Sequence, residues 1–359
     1  MKRLLILILV LALLLCGCSG AADAGTEPTQ TTTQPRPVEV GICLPSQDDS
    51  YWSACAGYLQ TGLEKLGLQT RLQYADEDVQ RQVEQVETMI GDRISCLVIV
   101  AVDSVALAEP LGRAKAAGIP VVALDRPMMD TDGVSFCVSF DYQAIGVAMG
   151  QYIEKTMALE TAQQEQRTHT VEFFMGSADD HNAFLLHGGV LSVLRPYLDS
   201  GVLICPSGRV SFEDSSILRW DGGAAGDALH RYLELYYTTP EGMTVPQICC
   251  AASDELALGC QQALEGTTQP WPLITGQGHG AQALECIEAG TQAMTAVKDV
   301  QALCHSTLQA VQSLLEGKPP AADTHQNNHV MDVPTKLCAF RVEQEAAPED
   351  VQNETAPVA

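Results

Sequence analysis

Residues 273–285 read LITGQGHGAQALE, and Gly276, Gly278 and Ala281 stand at G-x-G-x-x-(G/A) spacing between a short apolar run and a helix-like segment. Glycines so placed let a backbone approach a pyrophosphate at a helix N-terminus, which is dinucleotide chemistry. A second stretch, VVALDRPM at 121–128, sets Asp125 and Arg126 at the exit of an apolar run. A carboxylate beside a guanidinium can accept from one hydroxyl and donate to its neighbour, as a polyhydroxy ligand demands. Taken alone, the dipeptide reads equally well as a surface ion pair with a helix cap.

The elements that must position these residues are legible from periodicity. VEVGICL (38–44) precedes a helical stretch in which Ala56, Leu59, Leu63 and Leu66 recur every three to four residues. TRLQYA then leads to DVQRQVEQVETMI, with Val79, Val83, Val86 and Ile90 on one stripe, and CLVIVAV to ALAEPLGRAKAAG, which Gly118 ends before IPVVALD. The rhythm restarts at TVEFFMGS (170–177) and continues through VLICPSG, QICCAAS and PLITGQ. Strands apolar on both faces that alternate with helices predict parallel sheets covered by helices, here an α/β chain of two doubly wound, Rossmann-like lobes. Ligands of such sheets bind beyond the carboxyl ends of the strands. The residues found there are Ser46, Trp52, Asp103, Asp125, Arg126, Asp141, the stretch 177–182, Ser253 and Asp254.

The chain has 359 residues and a formal net charge of −25. So acidic a body repels nucleic acid and anionic headgroups, and both are discounted as partners. Residues 1–17 have the n-region, Leu-rich h-region and small-residue end of an export signal, and the run is short for a membrane span. LCGC at 15–18 resembles the lipobox of bacterial lipoproteins, which implies that Cys18 becomes the first mature residue and carries a lipid. Residues 18–37 form a polar tether without apolar period, and 346–359 an equally unpatterned tail. Of the thirteen cysteines, eleven lie beyond Cys18 and are scattered, mostly within apolar runs, with no C-x-x-C or Cys/His spacing. Zinc and iron–sulfur clusters are therefore not expected. Free buried thiols acting as small hydrophobes are, and they suit an organism living without oxygen.

From about Val38 to Val342 the chain resembles the type I periplasmic sugar-binding proteins, specifically the xylose-binding and multiple-sugar-binding proteins that serve ABC importers and chemotaxis. The residues that carry the resemblance are GICLPS, LQYADEDVQRQVEQVETMI, LVIVAVDS, AGIPVVALDRPM, SFDYQAIG, GSADDHNA, VLRPYLDSG, LRWDG, ITGQ and TAVKD. It implies the type I periplasmic-binding-protein fold, two Rossmann-like lobes with three hinge crossovers near Asp141, Lys298 and 317–320. The lobes are then residues 38–142 with 299–320, and 143–298 with 321–342. A sugar in the cleft between them would meet Trp52 as an aromatic platform beside Asp125 and Arg126, and Asn182, Trp220 and Lys298 from the second lobe. Aromatic faces stack on the C–H faces of a pyranose while charged and amide groups pair its hydroxyls.

Three departures qualify the resemblance. ITGQ is followed in the family by a sugar-binding Asp, where this chain has Gly278; the family's Arg before the first Trp is Tyr51, and its Asn before the strand-end Asp is Ser253. GQGHG is thus an altered sugar loop. The dinucleotide reading fails because the motif lies late in an exported chain and no acid follows at the correct strand end.

The expected function is that of an exported lipoprotein on the outer face of the cytoplasmic membrane, monomeric and without a cofactor. It captures a monosaccharide, xylose-like or another aldose, for an ABC permease and its ATPase. A sugar receptor for a sensor or chemoreceptor, or a diverged paralogue with a non-standard ligand, is the alternative. An enzyme is not expected, because G-x-S-x-G, H-E-x-x-H, a P-loop and a supported carboxylate pair are all missing from the sequence.

Overall fold

The computed structural model describes residues 37–240, 242–267, 270–278 and 280–344. The expected signal 1–17, the lipidation site Cys18, the tether up to residue 36 and the tail 346–359 lie outside the described residues.

From Val38 onward strands and helices alternate: β1 (Glu39–Leu44), α1 (Ser50–Lys65), β2 (Gln69–Tyr74), α2 (Val79–Gly91), β3 (Cys96–Ile99), α3 (Ala108–Ala116), β4 (Val121–Leu124) and β5 (Phe136–Phe140). The chain continues with α4 (Tyr142–Thr156), α5 (Leu159–Gln164), β6 (His169–Phe174), α6 (His181–Asp199), β7 (Leu203–Ile204), α7 (Phe212–Ser215), a 3-10 turn at Leu218–Trp220 and α8 (Gly222–Tyr236). After the small pair β8 (Thr238–Thr239) and β9 (Gly242–Met243) come β10 (Ile248–Ala251), α9 (Asp254–Ala263), β11 (Leu273–Ile274), β12 (Gln277–Gly278), α10 (Ala281–Glu288) and β13 (Met294–Lys298). The last elements are α11 (Val300–Leu315), β14 (Thr324–Asn327), β15 (Asp332–Cys338) and β16 (Phe340–Gln344).

The first sheet has seven strands in the order β14-β15-β5-β4-β3-β1-β2. All its neighbours are parallel except β14 with β15. Every residue of β3 and β4 is buried, as strands covered by helices on both faces require. A second, parallel sheet runs β11-β10-β6-β7, and a third of three strands runs β12-β13-β16.

Six helices begin on an Asp whose side chain accepts from the first-turn amides: Asp49, Asp78, Asp141, Asp180, Asp221 and Asp299 cap α1, α2, α4, α6, α8 and α11. Each cap satisfies an otherwise orphaned N–H at the helix start. Part of the chain's acidity is therefore structural. Eleven described cysteines are free thiols, nine of them buried, where they fill space as small hydrophobes. No helix among the described residues is long and apolar enough to cross a membrane.

One domain boundary differs from the sequence expectation. The resemblance places residues 321–342 with the second lobe, but β15 pairs in parallel with β5, from Thr335 opposite Cys137 to Cys338 opposite Phe140. Residues 324–338 therefore belong to the first sheet, and only β16 joins the other side, antiparallel to β13. The last passage between sheets falls at Ala339, not at 317–320. The Gly317-Lys318-Pro319-Pro320 break only ends α11; a Gly at φ 70 and two prolines stop a helix without deciding which sheet the chain enters next.

Candidate functional site

Asp125 leaves β4 in the left-handed region, at φ 61, a conformation disfavoured for most side chains by roughly 1 kcal/mol or more. Its surroundings hold it there: its amide donates to the Val138 carbonyl, and its own carbonyl accepts from Ser139 Oγ at 2.6 Å and Asn182 Nδ2 at 3.0 Å. Its carboxylate is only 2% exposed and accepts from the Tyr142 hydroxyl at 2.9 Å through either oxygen. Lys298 Nζ donates to the same hydroxyl at 3.0 Å and lies 5.0 Å from the centre of the Tyr51 ring. Burial, with the Asp125 charge beside it, pushes the Tyr142 phenol well above its ordinary pKa. The hydroxyl therefore stays a donor to Asp125.

Arg126 turns away from its neighbour. Its Nε pairs with Asp180 Oδ2 at 3.1 Å, its Nη1 donates to the Ala101 carbonyl at 3.1 Å, and its guanidinium lies over the Trp52 ring, 5.6 Å from the centroid. Burial works against the Arg126 charge, but Asp180, Glu77 and Asp125 hold its pKa above the ordinary value. Asp180 is raised by its own burial against the opposing pull of Arg126. Asp125 and Arg126 are thus two separate polar centres. The Trp52 ring, 4% exposed, carries the guanidinium on a face.

The far wall forms after β6. Arg219, at φ 60, pairs with Asp179 at 2.7 Å and donates to the Val102 carbonyl at 3.1 Å, while its amide donates to Ser177 Oγ at 2.8 Å. Trp220, also at positive φ, lays its indole on Gly176, where an added Cβ would stand 2.1 Å from the ring. Only glycine permits that contact. Ser104, past β3, donates its amide and hydroxyl to the Asp179 carbonyl at 2.9 and 2.8 Å and accepts the His181 amide at 3.0 Å. The exits of β3 and β4 thereby meet the exit of β6 directly.

Ser253 is the N-cap of α9, where its Oγ accepts from the Leu256 amide at 3.2 Å; the hydroxyl proton is left to donate elsewhere. Gly278 has φ 143, and a Cβ built on it would stand 3.0 Å from Asp254 Oδ2. Asp254 accepts from Gln292 Nε2 at 2.8 Å and Thr295 Oγ1 at 3.0 Å, so its carboxylate is fixed beside the loop. His279 lies outside the described residues.

Four buried polar atoms among these residues have no hydrogen-bond partner: Trp220 Nε1, Asn182 Oδ1, Tyr51 Oη and Gln277 Oε1. One donates, two accept and one does both. Buried polar groups are almost always paired in native proteins, so such a mixture fits a ligand that offers donors and acceptors together.

Sequence reasoning missed Tyr142, Arg219 and Glu77. Tyr142 follows Asp141 at a strand exit and Arg219 precedes Trp220, so both stood beside residues already singled out. Glu77, at φ 58, is pushed up in pKa by burial while Arg126 and Arg219 pull it down, which places it in the same electrostatic neighbourhood. Nothing in LQYADEDV distinguishes it from a solvated acid.

The fold has counterparts among known proteins. Residues 40–319 match the periplasmic binding protein domain, and the chain belongs to that family. It is similar to the multiple sugar-binding periplasmic protein SbpA of Azospirillum brasilense, 33% identical over 305 residues that cover 84% of this chain and 83% of that protein. It is 34% identical to the multiple sugar-binding periplasmic receptor ChvE of Rhizobium radiobacter, over 83% of this chain and 84% of that one. Among solved structures, an ABC transporter solute binding protein from Clostridium phytofermentans with bound β-D-glucose superposes with a TM-score of 0.81 at 31% identity, covering 86% of this chain and 94% of the other. The family comprises substrate-binding proteins, not enzymes.

Proposed function

We propose that this protein captures a monosaccharide, xylose-like or another aldose, outside the cytoplasmic membrane and presents it to the permease and ATPase of an ABC importer. The observation that carries the reading is the pair of unpartnered buried atoms beside Asp125 and Lys298: Asn182 Oδ1, whose own Nδ2 donates to the Asp125 carbonyl, and Tyr51 Oη, whose ring lies under Lys298 Nζ. Sugar hydroxyls satisfy such a set, each one otherwise costing about 1 to 3 kcal/mol. Trp52, Asp125, Arg126, Asn182, Trp220, Ser253 and Lys298 are the proposed contacts, with Tyr142 positioning Asp125. The relatives' names and the glucose bound to the structural counterpart support the same ligand class.

The working unit is a monomer held to the membrane by a lipid on Cys18. Its two lobes, residues 38–140 with 299–338 and 142–298 with 340–344, close on the sugar. A thermal-shift screen against pentoses, hexoses, their acids and polyols tests the ligand class. A true ligand at a hundred times its Kd stabilises by about 2.7 kcal/mol. No shift with any sugar or polyol, in protein that unfolds cooperatively, counts against it.

Gly278 favours a second reading, a receptor whose ligand differs from the aldoses of its relatives. The loop has no side chain at that position, and Asp254 occupies the adjoining space. A response to polyols or sugar acids but not to aldoses would select this reading.

A further inference from the structure

Cys55 on α1 and Cys304 on α11 are 249 residues apart in sequence, yet their Sγ atoms lie 3.1 Å apart. A disulfide bond spans about 2.05 Å, so an approach of about 1 Å would join them. Both residues are buried, at 0% and 1% exposure. A route to Cys304 nevertheless exists: a groove of about 1090 Å³ runs between α1 and α11, lined by Ser53, Ala54, Gly57, Cys304, His305 and Leu308. Nothing stands within 4 Å of where a Gly57 Cβ would project, so that wall offers no obstruction of its own. The family is extracytoplasmic, and disulfides persist outside the reducing cytoplasm.

We propose that Cys55 and Cys304 form a redox site, a dithiol that small-molecule disulfides convert to an intramolecular bridge and that reductants restore. One thiolate attacks the external disulfide, forms a mixed disulfide and releases one thiol. The second thiolate attacks the bonded protein sulfur and releases the other. Two electrons and two protons pass from the cysteine pair to the reagent, which leaves as two thiols. The Cys304 contact and burial disfavour the Cys55 thiolate, so exchange in the folded state is slow; it begins at Cys304, the thiol that lines the groove.

The bridge would bear on the binding site. Tyr51 and Trp52 stand one turn before Cys55 on α1, and α11 begins just after Lys298, whose Nζ lies over the Tyr51 ring. Oxidation ties the helix that carries these aromatics to the helix that follows the site lysine. The site itself is defined by the two thiols and stands whichever ligand the cleft binds.

The test needs no ligand. The purified protein is incubated with oxidised glutathione or with dithiothreitol, denatured with N-ethylmaleimide, digested and mapped by mass spectrometry. Expected is a cross-linked peptide pair holding Cys55 and Cys304, and a loss of two maleimide adducts relative to the reduced sample. Cys55→Ala and Cys304→Ala should each abolish that link, and Cys286→Ala should leave it. If either Ala variant fails to fold, the parent map decides alone. Maleimide on both cysteines after oxidation, a glutathione adduct on Cys304 without a link, or a link through other cysteines overturns the proposal.

Discussion

The Tyr142 hydroxyl donates to Asp125 at 2.9 Å and accepts from Lys298 at 3.0 Å. Asp125 directly follows β4, Tyr142 begins the helix just past the first passage between sheets, and Lys298 ends the strand just before the second. A single polar chain therefore crosses two passages of the backbone.

Tyr142→Phe removes the donor that satisfies a buried carboxylate while keeping the ring. The expected cost is about 1 to 3 kcal/mol in stability, read as a lower denaturation midpoint without a change in slope. Sugar affinity should fall as well, because Lys298 loses its acceptor. A variant as stable as the parent would show that Asp125 is satisfied by other groups.

Asp125→Ala should weaken sugar binding by about 2 to 3 kcal/mol, since a desolvated hydroxyl and Tyr142 both lose a partner. Part of any stability loss comes from the φ of 61, which Ala tolerates poorly. Asp125→Asn controls for this, because Asn accepts the left-handed region more readily. Calorimetry on both separates charge from conformation, and Ala binding as tightly as the parent would falsify the proposed pocket.

Placing at Gly278 the acid that the resemblance implies, by Gly278→Asp, is expected to fail. Sequence alone suggests a gain, conditional on the backbone. At φ 143, with Asp254 Oδ2 3.0 Å from the new Cβ, the variant combines strain with two carboxylates side by side. Loss of about 1 to 2 kcal/mol of stability and no gain in aldose affinity are expected. Tighter aldose binding would show that the loop rearranges.

Glu172 is fully buried in β6, where Ser207 and Tyr237 donate to its carboxylate. Burial still raises its pKa above 4.5, with those donors opposing. A carboxyl raised on folding binds its proton more tightly in the native state, so its contribution is complete below 4.5 and is lost as pH rises through the folded value. Glu172→Gln should flatten the fall in Tm with pH above 4.5, and Asp180, Glu77 and Glu255, which burial raises in the same direction, contribute to the slope that remains. A slope identical to the parent's would exclude Glu172 as a source.

The candidate site residues carry local signals in the sequence. Asp125 and Arg126 follow four apolar residues, and Trp220 precedes the Asp221 cap by one position. What the polar exits do was less legible. Asp103 and Asp141 stand at strand exits like the candidate contacts, yet their side chains cap backbone amides two or three residues on. A cap and a contact residue are the same amino acids at the same position, and only the direction of the side chain separates them.

Sequence determined the alternation of strands and helices, their starts on Asp caps and the buried character of β3 and β4, because hydrophobic period and capping act within a few residues. Only the tertiary structure decided that β15 adds to β5, that Arg126 pairs with Asp180 rather than stay beside Asp125, and that Lys298 reaches Tyr142. Those partners lie tens to hundreds of residues apart. Their pairing is set by how sheets and helices pack as whole surfaces, and periodicity within a segment carries no record of which distant surface it meets.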